Sequence, residues 1–287
     1  MKENISSQRG SEDKRNFAIG IFDSGLGGLT VVKEALRFLP NESIIYLGDT
    51  ARVPYGNKSK DTVLRFTKEA VSFFSSQGVK MLLVACNTAS SLALPLLEDD
   101  YGFPIYGVID AGVEEACKVS RTGRIGVIGT KATIKSGIYE EKLKQRGTDI
   151  KVYSRPCPLF VPLIEEGWME DPIAYKVCEK YLKDFKKEKI DVLILGCTHY
   201  PLMRNIIQYI AGDTVALIDS ASAFVKKIKR ILTEQDLSSV SGEARHKFYV
   251  TDEPESFEEL SSLFLGNRIG PVTKIQLEGY KECIKSQ

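Results

Sequence analysis

The sequence predicts an α/β protein made of two similar halves, and three observations predict it. Short apolar runs alternate with longer amphipathic stretches along most of the chain. The runs are continuous rather than alternating, as in parallel strands covered on both faces. A strand-to-helix junction recurs 111 residues downstream, with a cysteine at the same place in each copy. Strand and helix alternating in this way imply right-handed crossovers and mostly parallel sheets flanked by helices.

Residues 1–16 are polar and charged, without apolar periodicity or the apolar stretch of a signal peptide, and read as a disordered extension. Order is expected from Phe17. Strands are predicted at Ala18 to Phe22, Ile44 to Leu47, Val79 to Ala85, Ile105 to Ile109, Ile125 to Ile128, Ile190 to Leu195 and Val215 to Ile218. Helices follow from the i, i+3, i+4, i+7 spacing of Val32, Ala35, Leu36 and Leu39, and of Val63, Phe66, Ala70, Phe73 and Phe74. Tyr175, Cys178, Leu182 and Phe185 repeat that spacing, as do Leu202, Ile206 and Ile210. The basic runs 183–189 and 226–230 fall in helical segments and read as solvated faces.

Composition narrows the function. With 39 Lys and Arg against 38 Asp and Glu, the net charge is +1, which is not the electrostatic footprint of a nucleic-acid or membrane-surface binder. No apolar run approaches the ~18 residues of a membrane span. Six cysteines in 287 residues, none in a Cys-x-x-Cys pair, are too few for a disulfide scaffold. These features point to a cytoplasmic, reduced enzyme or binding protein.

The two copies of the junction read 79-VKMLLVACNTA-89 and 190-IDVLILGCTHY-200. In open α/β sheets ligands bind beyond the carboxyl ends of strands, which is where Cys86 and Cys197 fall. A thiol just ahead of a helix feels the positive end of the dipole and free N–H groups. Two thiols on opposite sides of a tetrahedral carbon can act as base and acid in turn, because a reference pKa of ~8.5 suits either state near neutrality. Asn87, Thr88 and Thr198 offer neutral hydrogen bonds to a substrate. Cys117, Cys157, Cys178 and Cys283 lack this polar setting and read as structural. A zinc site at Cys86, Cys197 and His199 is allowed by ligand type, but only two histidines and no close ligand pair argue against it, so no metal is expected. His246 reads as a surface residue.

Other strand ends carry further candidates. The first leads into 23-DSGLGG-28, a glycine-rich turn that can present N–H groups to an anion, with Asp23 as a cap or a carboxylate serving a thiol. It is neither a dinucleotide fingerprint nor a P-loop. Pro54-Tyr55-Gly56 is a turn in which Tyr55 can wall a pocket and the Gly56 N–H can meet a carboxylate. Gly129-Thr130 with Thr133 is another candidate anion-binding turn, or a helix cap. Glu165, after Pro162, is a helix end or a cleft carboxylate.

Together these motifs resemble the glutamate racemases of the aspartate/glutamate racemase superfamily, from Phe17 to about Leu277. The resemblance is carried by 22-FDSGLGGLT-30, 48-GDT-50 with 54-PYG-56, 85-ACNTA-89, 126-GVIGT-130 with Thr133, Pro162 to Glu165, and 195-LGCTHYPL-202. It implies two pseudo-symmetric flavodoxin-like domains, each a mostly parallel sheet flanked by helices, with the active site between them. On that pattern the first domain is 17–111 plus 221–287 and the second is 112–220. The implied activity is cofactor-independent interconversion of L- and D-glutamate, supplying D-glutamate for peptidoglycan. Carried over by motif, Cys86 takes the α-proton of D-glutamate and Cys197 that of L-glutamate. Asp23 assists Cys86 and His199 assists Cys197, with Glu165 a further helper whose alignment against Glu166 is open. Asp23, Ser24, Tyr55, Gly56, Asn87, Thr88, Thr130, Thr133, Thr198 and His199 would hold the substrate. The resemblance also implies a homodimer, with no nucleic-acid or membrane partner. The alternatives are another racemase or decarboxylase of the superfamily, and a non-catalytic glutamate-binding protein on the same fold.

Overall fold

The computed structural model describes residues 13–97 and 101–278. Ten strands among the described residues form two parallel sheets. In the first, β1 (Ile19–Asp23) lies between β2 (Ile44–Gly48) and β3 (Met81–Val84). Beyond β3 comes β4 (Ile105–Gly107), and beyond β2 come β9 (His246–Val250) and β10 (Val272–Lys274). In the second, β5 (Arg124–Gly129) lies between β6 (Lys151–Pro156) and β7 (Val192–Gly196), with β8 (Ala216–Asp219) outside β7. Every residue of β1, β2, β3 and β7 is buried, which explains the unbroken apolar runs that announce them.

Eleven helices among the described residues connect and cover the strands: α1 (Leu29–Phe38), α2 (Lys60–Gln77), α3 (Asn87–Leu92), α4 (Val108–Val119), α5 (Lys131–Lys135), α6 (Ile138–Lys144), α7 (Phe160–Glu165), α8 (Pro172–Glu188), α9 (Arg204–Ala211), α10 (Ser220–Glu234) and α11 (Pro254–Leu265). Their ends follow local rules. Ser59 accepts the Thr62 N–H ahead of α2, and Gly78 closes that helix in the left-handed region at φ +69. Asp171 caps α8, whose first residue is Pro172. One apolar core, containing Phe22, Phe66, Phe73 and Phe74, lies beneath α2. A larger one runs from α1 through α4 and α10 into the second sheet and joins the halves. Fully buried side chains such as Phe224 and Ile194 each contribute about 1.5–3 kcal/mol to this joint.

The structure corrects several expectations. Residues 14–16, read as part of the disordered extension, form a 3-10 turn. The Asp13 carboxylate accepts the Arg15 N–H, and buried Lys80 donates to the Arg15 carbonyl at 2.7 Å. A contact 65 residues away in sequence carries no local signal. The run 105–109 is strand only to Gly107, because α4 starts at Val108. β6 was not foreseen because it is an edge strand without a fully buried residue. Cys283 lies outside the described residues.

Candidate active site

The carboxyl ends of the two sheets face each other across a cavity of about 280 Å³. The first half supplies Ser24 and Gly25 after β1, Tyr55 and Gly56 after β2, and Cys86, Asn87 and Thr88 after β3. From the second come Thr130 and Lys131 after β5, Pro162 and Glu165 on α7, and Cys197, Thr198 and His199 after β7. Both cysteines therefore reach one cavity from opposite halves.

Cys86 sits at the N-cap of α3, where its sulfur accepts the Ala89 N–H at 3.5 Å and lies 3.6 Å from Ser24 Oγ. Burial pushes its thiol up to about 12, and the Asp23 charge adds to that; the Ala89 N–H and the Ser24 hydroxyl offset only part. Asp23 is fully buried beside the cavity rather than lining it. Burial raises its carboxyl to about 6 against the opposing charge of His199 and hydrogen bonds from the Gly25 and Gly28 N–H groups and the Thr198 hydroxyl. The Gly25 N–H is 3.0 Å and Thr198 Oγ1 3.4 Å from its oxygens.

Cys197 has a different neighbour. Its sulfur is 4.0 Å from His199 Nδ1, and His199 Nε2 is 3.0 Å from Glu165 Oε1. Burial disfavours the charged imidazole, but the hydrogen bonds to Cys197 and Glu165 outweigh it and hold His199 up to about 10. Phe264 of α11 stands edge-on to the imidazole, with ring centroids 5.6 Å apart. It is Glu165, at the end of α7, that makes the contact; Glu166 is exposed.

The remaining candidates divide into those that line the cavity and those behind it. Thr88 and Thr130 line it, and their hydroxyls are 3.0 Å apart. Thr133 does not reach it: buried behind them, it lies 3.2 Å from Thr88 Oγ1 and 3.0 Å from Thr130 Oγ1. Thr130 also caps α5 by accepting the Thr133 N–H. Tyr55 presents its ring as a wall while its hydroxyl donates to buried Asp49, which also accepts from Arg52 and Thr251. Of the glycine-rich turn, Gly25 lines the cavity and Gly27 and Gly28 do not. A Cβ on Gly27 would fall 2.4 Å from His199 Nδ1 and 2.3 Å from Thr198 Oγ1, so this glycine lets the two halves approach.

Sequence reasoning assigned no role to Asp49, Lys131, Tyr139 or Phe264. Tyr139 and Phe264 enter the site through contacts distant in sequence, Asp49 lies six residues from Tyr55, and Lys131 sits between two recognised threonines. Cys157 and Cys178 are buried in the core and Cys117 is half-buried on α4, while His246 is exposed at the start of β9. Among the described residues, no group of three His, Cys, Asp or Glu side chains is placed to hold a metal ion. No helix there is long and apolar enough to cross a membrane.

Two parallel sheets close on one cavity, with a thiol from each, in a fold shared with known racemases. Residues 25–228 match the Asp/Glu/Hydantoin racemase family, and the chain belongs to it. It is 52% identical over 254 residues to the glutamate racemase of Aquifex aeolicus, covering 88% of this chain and 96% of that one. To the glutamate racemase of Geobacter metallireducens it is 45% identical over 266 residues, covering 92% and 98%. The crystal structure of the Francisella tularensis glutamate racemase in complex with D-glutamate superposes with a TM-score of 0.87 at 40% identity, covering 93% of this chain and all of that one.

Proposed function

We propose that this chain interconverts L- and D-glutamate by a two-thiol exchange at the α-carbon that requires no cofactor. The observation that carries the proposal is the pair Cys86 and Cys197, which line one cavity from opposite halves, each with its own acid–base neighbour. The names of the relatives supply the substrate.

In this reading the Cys86 thiolate takes the α-proton of D-glutamate as the Cα–H bond breaks, and its electron pair stays on carbon. The Cys197 thiol gives its proton to the other face and becomes the thiolate, yielding L-glutamate. The reverse turnover starts from Cys197. Asp23 serves as proton partner on the first side and the His199–Glu165 pair on the second. The substrate ammonium brings positive charge beside Cys86 and Asp23, which offsets the burial that holds the thiol up. Hydroxyls of Thr88, Thr130 and Thr198, with backbone around Gly25 and Gly56, bind the carboxylates in a closed site where such bonds are strong.

The product would supply D-glutamate for peptidoglycan in the cytoplasm, and the enzyme would act as a homodimer. The test of the activity is the circular dichroism of D-glutamate with the purified protein, a reducing agent and EDTA. The signal is expected to decay to zero while that of D-aspartate persists. Binding of glutamate without decay would contradict the reading and favour a non-catalytic binding protein.

A further inference from the structure

Asn87 lines the cavity, and its side-chain orientation is set from the other half of the molecule. Tyr139, on α6, is 2% exposed, and its hydroxyl lies 2.6 Å from Asn87 Oδ1. That separation is normal for O–H···O and shorter than the range for N–H···O, so the oxygen of the amide faces the phenol. The proton of Ser220, beside the phenol, is committed to the Leu195 carbonyl at 3.2 Å. Burial raises the Tyr139 hydroxyl, which therefore stays protonated and able to donate.

The consequence falls on the other end of the amide. Asn87 is 3% exposed and lines the cavity, and its Nδ2 has no hydrogen-bond partner among the described residues. A buried donor left unpaired carries a penalty that a ligand acceptor relieves. A freely turning amide would offer its oxygen or its nitrogen equally, which suits neither a carboxylate nor an ammonium well.

We propose that Tyr139 is a positioning residue: by holding the Asn87 oxygen it commits the amide nitrogen to the cavity as a donor for a substrate carboxylate. It touches no substrate itself. The inference rests on the glutamate reading above and adds a residue to it that reaches the site across the boundary between the sheets.

The test is a double-mutant cycle of wild type, Tyr139→Phe, Asn87→Ala and the double variant, with KM and kcat measured for both enantiomers. Tyr139→Phe is expected to raise KM about tenfold, the worth of one directed hydrogen bond, with kcat within about twofold. Added to Asn87→Ala it should change KM by less than about twofold, because the residue it positions is gone. An equal Tyr139→Phe effect in both backgrounds, or none in wild type, would overturn the proposal. Asn87→Asp tests the orientation separately: it keeps the acceptor for Tyr139 but presents oxygen to the carboxylate, so KM should rise further than in Asn87→Ala. An unchanged KM in Asn87→Asp would show that the amide oxygen faces the cavity. Wild-type inactivity on glutamate would instead refute the substrate assignment, and the two failures are told apart by the wild-type control.

Discussion

The two thiols sit at the same place in the same strand–cysteine junction, yet their surroundings are opposite in charge. On the first side Cys86 faces a buried carboxylate, Asp23, and two neutral hydrogen-bond partners, the Ser24 hydroxyl and the Ala89 N–H. On the second side Cys197 faces an imidazole backed by Glu165. The junction places a sulfur at the rim of a parallel sheet; the charged neighbour of Cys86 comes from the end of β1, and that of Cys197 from its own junction two residues on. Thr198 ties the sides together, since it follows Cys197 and donates to Asp23. The contrast suits a reaction in which one thiol must be a base while the other is an acid, with the roles exchanged in the reverse direction.

The largest effect should come from the thiols. Cys86→Ala and Cys197→Ala should each lower racemisation in both directions at least about ten-thousand-fold, because a turnover uses both faces. Appreciable activity in either variant, followed by polarimetry, would break the comparison at its root. The neighbours come next. Asp23→Asn and His199→Asn are expected to cost about a hundredfold each in kcat/KM. Because the equilibrium constant between enantiomers is one, that loss must be equal in both directions. The asymmetry shows instead in the primary deuterium isotope effect, which should rise for D-glutamate in Asp23→Asn and for L-glutamate in His199→Asn. Equal isotope effects in the two variants would mean that the neighbours are not specific to their thiols.

Much of this contrast was legible in the sequence. Cys86, Cys197, Asp23 and His199 each lie within a few residues of a strand end, in short motifs whose chemistry is local. The continuous apolar runs announced β1, β2, β3, β5 and β7 because those strands are buried on both faces. What stayed hidden depends on tertiary contact. Tyr139 meets Asn87 across 52 residues, and Lys80 pins the turn at Arg15 across 65. The edge strand β6 and the three-residue β10 bury too little to show a pattern. Gly27 looked like an anion-binding glycine, whereas the space it leaves is taken by His199 and Thr198 from the other half.

Smaller effects sharpen the comparison. Glu165 is partly exposed and contacts His199, so on the proposed mechanism Glu165→Gln should cost about tenfold in kcat, less than His199→Asn. A larger loss than in the histidine variant would give Glu165 a direct role. The last prediction concerns stability. The Asp23 carboxyl rises from 3.8 to about 6 on folding, so the folded state binds its proton more tightly and stability falls as pH rises between those values. Compared with Asp23→Asn, the wild type should lose on the order of 3 kcal/mol between pH 4 and pH 7. Chemical denaturation at the two pH values reads this directly, and parallel profiles would show that Asp23 is not held in the ionised form at a cost.

The most direct test of opposed thiols is the fate of the α-proton at early conversion of D-glutamate in D₂O, read by mass spectrometry after separating the enantiomers. Two thiols on opposite faces predict one deuterium at Cα of the L-glutamate formed and protium in the D-glutamate recovered. L-glutamate that keeps the substrate's protium, or deuterium appearing equally in both enantiomers from the start, would mean that a single base serves both faces, and the two-sided account would fall.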